Sequence, residues 1–222
     1  MKSESSGRYT EYRMPRSLNH DSLQAGATAL ARRDPDLARV LVKVGDVPMW
    51  GRRPGFATMV HIILEQQVSI QAARTMFRRL RSHLGEVTPK TVHDLQVAGL
   101  RNFGLNGQKA DYCHGMAAQV LNGSLDFSAI SRASDEVGRS RLMSVRGIGP
   151  WSVDVYYLMA LRRPDVWPQG DLALAVALRE IKYLPTLPSR EKQLAFAEQW
   201  APWRSVAARI LWVHYLSTRG RE

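Results

Sequence analysis

The chain has 222 residues, 45% of them hydrophobic, with 31 Lys and Arg against 20 Asp and Glu and a formal charge of +11. A chain of this length buries enough surface to fold without a staple, and its charge excludes an acidic buffer or calcium-loop protein and points to a polyanionic partner. The one cysteine, Cys113, excludes a disulfide framework, a cysteine zinc site and a four-cysteine iron–sulfur cluster.

Residues 1–18 are polar and read as a loose N-terminus. Helical spacing of apolar residues follows over 21–33 and 35–44. Residues 55–67 (GFATMVHIILEQQ) are apolar on most sides and predict a buried helix. Ser69 reads as the N-cap of a helix that ends at Gly85. Thr88 and Pro89 open a helix over 88–100. Further helices are predicted over 107–122, from Ser131 or Ser134 to 145, and over 149–162. Asp171 caps DLALAVALREI, Ser189 caps REKQLAFAEQW, and a last helix runs over 203–218. No segment alternates with a period of two between hairpin turns. The fold class is therefore all-α, with about ten helices, and no linker divides the chain. No apolar run approaches the roughly 18 residues of a membrane helix, and the start has no apolar secretory core. A cytoplasmic, nucleoid-associated protein without a membrane partner is expected.

Two features carry chemistry. In LMSVRGIGPWSVD (142–154), Gly147 and Gly149 flank one apolar residue between two helices. Such a turn brings backbone N–H groups together at a helix start, with Pro150 at a position where its missing N–H costs nothing. A cluster of this kind binds phosphate, although a bare helical corner uses the same glycines. Asp171 follows Gly149 by 22 residues, behind Pro168 and Gly170. It could be only a helix cap. Placed in a cleft, it could instead stabilise an oxocarbenium-like transition state or orient water. The six histidines (His20, His61, His83, His93, His114, His214) show no zinc-ligand spacing. The run at 76–85 (MFRRLRSHLG), with Arg146, Lys109 and Arg204, reads as a solvated face or as phosphate contacts without sequence preference.

With these residues stand ILEQQVSIQAA (63–73), GLNGQKADYCHGMAAQVLNG (104–123), PQGDLALAVAL (168–178) and APWRSVAARILW (201–212). Together they resemble the helix–hairpin–helix (HhH-GPD) DNA glycosylases over residues 35–217, most closely the alkylated-base branch, 3-methyladenine DNA glycosylase II. The resemblance implies two interleaved helical lobes, 54–165 with the hairpin and 19–53 plus 166–222, with the active-site cleft between them. It implies a minimal form without the N-terminal β domain of larger members. It also implies a monomer that binds damaged double-stranded DNA.

Carried over by motif, Asp171 is the catalytic aspartate, and Gly147, Gly149 and Ser152 supply phosphate-contacting amides. The carbonyls of Met143, Val145 and Ile148 match those that hold a Na⁺ or K⁺ ion in relatives. No other cofactor and no iron–sulfur cluster is implied. Trp151 stands where strand-cutting branches carry the Schiff-base lysine, so a monofunctional hydrolase without lyase activity is expected. A flipped alkylpurine is cationic or electron-poor and stacks on indole. Trp151 and Trp212, with Tyr156 nearby, are the expected pocket, while Trp200 and Trp203 read as core. Val155 and Leu172 replace aromatic pocket walls, which changes substrate range. Gln67, helped by Gln66, matches the side chain that plugs the emptied stack. The alternatives are the same fold acting on deaminated or etheno-adduct bases, and a non-catalytic DNA-binding hairpin protein.

Overall fold

A computed structural model describes residues 15–220. Among these the chain forms thirteen helices and no strand, in agreement with the all-α expectation. They are α1 (His20–Arg33), α2 (Pro35–Val44), α3 (Phe56–Glu65), α4 (Ile70–Leu84), α5 (Pro89–Asp94), α6 (Gln96–Arg101) and α7 (Gly107–Leu121). There follow α8 (Phe127–Arg132), α9 (Asp135–Met143), α10 (Pro150–Met159), α11 (Leu172–Ile181), α12 (Arg190–Gln199) and α13 (Arg204–Ser217).

The caps follow side-chain chemistry. Ser69, Thr88, Ser134, Asp171 and Ser189 each accept an N–H of the first turn they precede, which satisfies donors that the helix leaves unpaired. Ser134, not Ser131, opens α9. Ser131 belongs to α8, a helix the sequence does not predict, capped by Asp126 through Ser128 N and Ala129 N. The helix expected over 88–100 is two helices, because Gln96 takes φ 55° and breaks the run at Leu95.

Helices α3 to α10 pack on one another. The all-round apolar α3 lies at their centre against α4, α7 and α10, with Met59, Val60, Ile62, Ile63 and Leu64 fully buried. Helices α1, α2, α11, α12 and α13 form the other packed set. In it the ring of Trp203 lies so close to Gly26 that a Cβ there would meet it at 2.7 Å. Residues 1–14 of the expected loose terminus lie outside the described residues. Residues 15–18 are docked, which corrects that expectation. Leu18 is buried and its N–H donates to Arg162 O at 2.8 Å, and Arg16 Nη2 donates to Arg132 O and Ala133 O at the end of α8.

One half-buried histidine ties α3 to α4. His61 stacks on Phe77 with ring centroids 4.4 Å apart, while Arg52 donates to both oxygens of Glu65 beside it. Burial, then the charges of Arg52 and Arg74, push the His61 imidazole down from 6.5 to about 4, against the pull of Glu65. The folded protein keeps this ring neutral while an unfolded chain protonates it. Its contribution is complete above pH 6.5 and is lost as pH falls towards 4, at no more than about 1.4 kcal/mol per pH unit. His61→Phe, which keeps the stack, should flatten the fall of Tm across that window. An unchanged slope would assign the acid sensitivity to other groups.

Candidate active site

The turn between α9 and α10 is built around Gly147. Its φ is +88°, and a Cβ on it would lie 2.2 Å from the ring of Tyr112. Tyr112 is on α7, and its hydroxyl accepts from Gln108 Nε2 at 2.6 Å. The sequence reading missed Tyr112. It sits inside the matched 104–123 motif, but a tyrosine at helical spacing looks like ordinary core. Ile148 is buried and donates its N–H to Val145 O at 3.0 Å, which closes the turn. Gly149 differs from Gly147. Its φ is an ordinary −96°, and a Cβ there would meet nothing within 4 Å. Among the described residues the N–H groups of Gly147 and Gly149 have no partner. They stand directly before the start of α10 at Pro150, where the sequence predicts a donor cluster.

A polar cavity of about 570 Å³ opens on this turn, lined by Gln67, Lys109, Tyr112, Arg146, Gly147 and Gly149 among others. Gln67 is exposed and holds φ 55°. Gln66 is not free to join it as a plug, which corrects that expectation: its Nε2 donates to Gly147 O at 2.8 Å and to Ser152 Oγ at 3.0 Å. It clamps the end of α3 to the hairpin. Ser152 is buried with its hydroxyl held by that amide. Lys109 is not a surface contact either. Its buried Nζ donates to Leu64 O at 2.7 Å, where a cation complements the carbonyl end of α3. Arg146 is exposed beside Asp111 and over the Tyr112 ring. Met143, Val145 and Ile148 all line the same cavity. Neutral carbonyl oxygens of a tight turn suit an alkali ion, although Val145 O already accepts one N–H.

Asp171 ends the loop that leads into α11. Its Oδ1 accepts Leu174 N at 3.0 Å as the N-cap. The same oxygen accepts Trp212 Nε1 from α13 at 3.3 Å, and Oδ2 accepts Trp151 Nε1 from α10 at 3.0 Å. Three N–H donors, one from the first turn of α11 and two from indoles, fix the direction of the carboxylate. The structure thus brings together Asp171, Trp151 and Trp212, all half-buried. Leu172 beside them is 66% exposed, which leaves this wall open.

Tyr156 does not belong to this group, and the pocket expectation is corrected. It is fully buried, its hydroxyl accepts Gly55 N at 2.9 Å, and its ring packs against Phe127. Burial pushes its phenol up to about 12. It lies five residues beyond Trp151 on α10 and packs into the core. Val155 is buried as well, as are Trp200 and Trp203. Among the described residues no cluster of His, Cys, Asp or Glu could hold a metal ion.

A family model described as HhH-GPD superfamily base excision DNA repair protein matches residues 60–202. A Bacillus subtilis relative, YfjP, is 29% identical over 162 residues, which is 69% of this chain and 56% of that protein, so the match spans little more than half of it. DNA-3-methyladenine glycosylase 1 of Schizosaccharomyces pombe is 28% identical over 165 residues, 72% of each chain. Among solved structures, the Schizosaccharomyces pombe 3-methyladenine DNA glycosylase in complex with abasic DNA superposes with a TM-score of 0.79 at 26% identity. That superposition covers 85% of this chain and 95% of that one.

The two glycines should separate in a stability measurement. Gly147→Ala places a methyl group inside the Tyr112 ring at positive φ and should cost about 2 kcal/mol or more. Gly149→Ala should stay within about 0.5 kcal/mol of wild type. Equal Tm losses for both would contradict this assignment of the turn.

Proposed function

The chain belongs to the HhH-GPD superfamily of base excision DNA repair proteins, and from that membership we propose that it is a monofunctional DNA glycosylase that releases alkylated purines from duplex DNA. The observation that carries the reading is a carboxylate, Asp171, gripped by two indoles and a helix N-terminus. It lies one α10 helix start away from a turn with unpaired N–H groups.

A DNA phosphate docks on the N–H groups of Gly147 and Gly149, and basic side chains such as the exposed Arg146 add a salt-dependent attraction. The damaged nucleotide turns out of the stack, and Gln67 fills the gap it leaves. The flipped purine meets the indoles of Trp151 and Trp212. N-alkylation places a positive charge on the purine, so the base leaves as a neutral group. The bond between the base and the anomeric carbon breaks with its electron pair going to the base. Positive charge develops on the sugar, and the Asp171 carboxylate stabilises it. Water then adds to the anomeric carbon and loses a proton, leaving an abasic site. Trp151 has no amine, so no Schiff base forms and the DNA backbone stays intact. An alkali ion on the Met143, Val145 and Ile148 carbonyls would add positive charge beside the phosphate.

Base release from methylated duplex DNA tests this. Asp171→Asn should lower single-turnover release by about 10²–10³-fold, and wild type should yield nicks only after alkali. Undiminished release by the variant, or nicks before alkali, would overturn the reading. No release by a folded wild type would move the assay to deaminated and etheno-adduct bases. Gly149→Ala should weaken duplex binding at least about tenfold, or about 1.4 kcal/mol, with Tm unchanged, because its methyl group meets only the ligand. Unaltered affinity would place the phosphate elsewhere.

A further inference from the structure

We propose that Asp154 is a positioning residue for the Asp171 carboxylate, an inference that rests on the reaction proposed above. Asp154 is buried on α10, and neither the sequence reading nor the mechanism uses it. A buried carboxylate is costly unless both oxygens are satisfied, and here both are. Oδ1 accepts Arg139 Nη1 from α9 at 2.6 Å, and Oδ2 accepts the backbone N–H of Gln169 at 3.3 Å.

Gln169 lies in the turn that delivers Asp171. The N–H of Asp171 donates to Pro168 O at 3.3 Å, and Gly170 takes φ +79°. The turn's own hydrogen bond runs from its fourth residue to its first and does not use the N–H of the second, which is left for an outside acceptor. Asp154 is that acceptor. From the other side, the Gln169 amide oxygen accepts Nε of Arg190 on α12 at 3.0 Å. The turn is therefore held between α10 and α12.

Trp151 and Asp154 stand three residues apart on α10 and so share one face. Trp151 holds the carboxylate of Asp171, and Asp154 holds the backbone two residues ahead of it. One rigid helix fixes both the direction of the side chain and the position of its main chain. The Arg139 guanidinium, which also lies 4.6 Å from the centre of the Tyr157 ring, keeps Asp154 in place. Burial pushes the Asp154 carboxyl above its usual range, and the Arg139 hydrogen bond and charge oppose that push.

The test uses two variants. Asp154→Asn puts one oxygen and one NH₂ where two acceptors are needed, so either amide orientation sets a donor against Arg139 or against Gln169 N–H. Gln169→Pro leaves the Asp154–Arg139 pair intact and deletes only the tethering N–H and the Arg190 contact. Proline is favoured at the second position of such a turn. The readout is the indole N–H NMR signals of Trp151 and Trp212, assigned by Trp→Phe substitution, with Trp50 and Trp203 as controls for the fold. Both variants should shift the Trp151 and Trp212 signals and leave the controls in place. Single-turnover release of methylpurine should fall about ten- to a hundredfold, while affinity for unmodified duplex stays unchanged. Against Asp171→Asn, Asp154→Asn should add no further loss, because it acts through the same carboxylate. Unmoved indole signals in both variants, or losses that multiply fully, would overturn the proposal. If Asp154→Asn does not fold, Gln169→Pro decides. If wild type releases no methylpurine, that outcome counts against the glycosylase reading, and the indole signals still decide the role of Asp154.

Discussion

The Asp171 carboxylate is a helix cap and a hydrogen-bond acceptor for two indoles at once, and the rest of the site is arranged around that double duty. As a cap it must sit at the first turn of α11. As an acceptor it must face α10 and α13, from which Trp151 and Trp212 arrive. These helices come from both packed sets, since α10 belongs with α3 to α9 and the other two with α1, α2 and α12. The carboxylate is thus a point where the two sets meet through hydrogen bonds. Its oxygens accept three neutral N–H donors, and among the described residues no ion pair reaches them.

The hairpin has its own scaffold. Gly147 is required twice, by its positive φ and by the Tyr112 ring lying where a side chain would be. Gln66 bonds to Gly147 O and Ser152 Oγ, and Lys109 fixes the carbonyl end of α3 one step earlier. The exposed Gln67 therefore follows directly on a residue that is pinned to the hairpin. A residue proposed to fill a gap in DNA is most effective when its backbone does not move. The clamp at Gln66 links that backbone to the turn proposed to take the phosphate.

Much of the fold is legible in the sequence because helix starts are chemically marked. Ser69, Thr88, Asp171 and Ser189 cap the helices they announce. The break at Leu95 is not legible, since Gln96 adopts positive φ without a glycine or proline to signal it. The short α8 escapes because six residues give no clear period. At the site, the resemblance pairs Asp171 with Trp151 and Trp212, and the geometry brings them into hydrogen-bond contact. Tyr156 misleads because one helix serves both the cleft and the core. The contacts of Lys109 and Asp154 lie 45 and 15 residues away in sequence. A charged residue on a helix reads as solvent-facing until its tertiary partner is known.

The central claim is that the Asp171 carboxylate stabilises positive charge on the sugar. The most direct measurement compares binding of two duplexes, one with a cationic pyrrolidine in place of the sugar at the lesion position and one with a neutral tetrahydrofuran. Wild type should prefer the cationic duplex, because a charge placed where it develops in the transition state is bound more tightly than its neutral counterpart. Asp171→Asn should lose that preference while keeping its affinity for the neutral duplex. Equal affinity of wild type for the two duplexes, or a preference that survives in Asp171→Asn, would contradict the role assigned to this carboxylate.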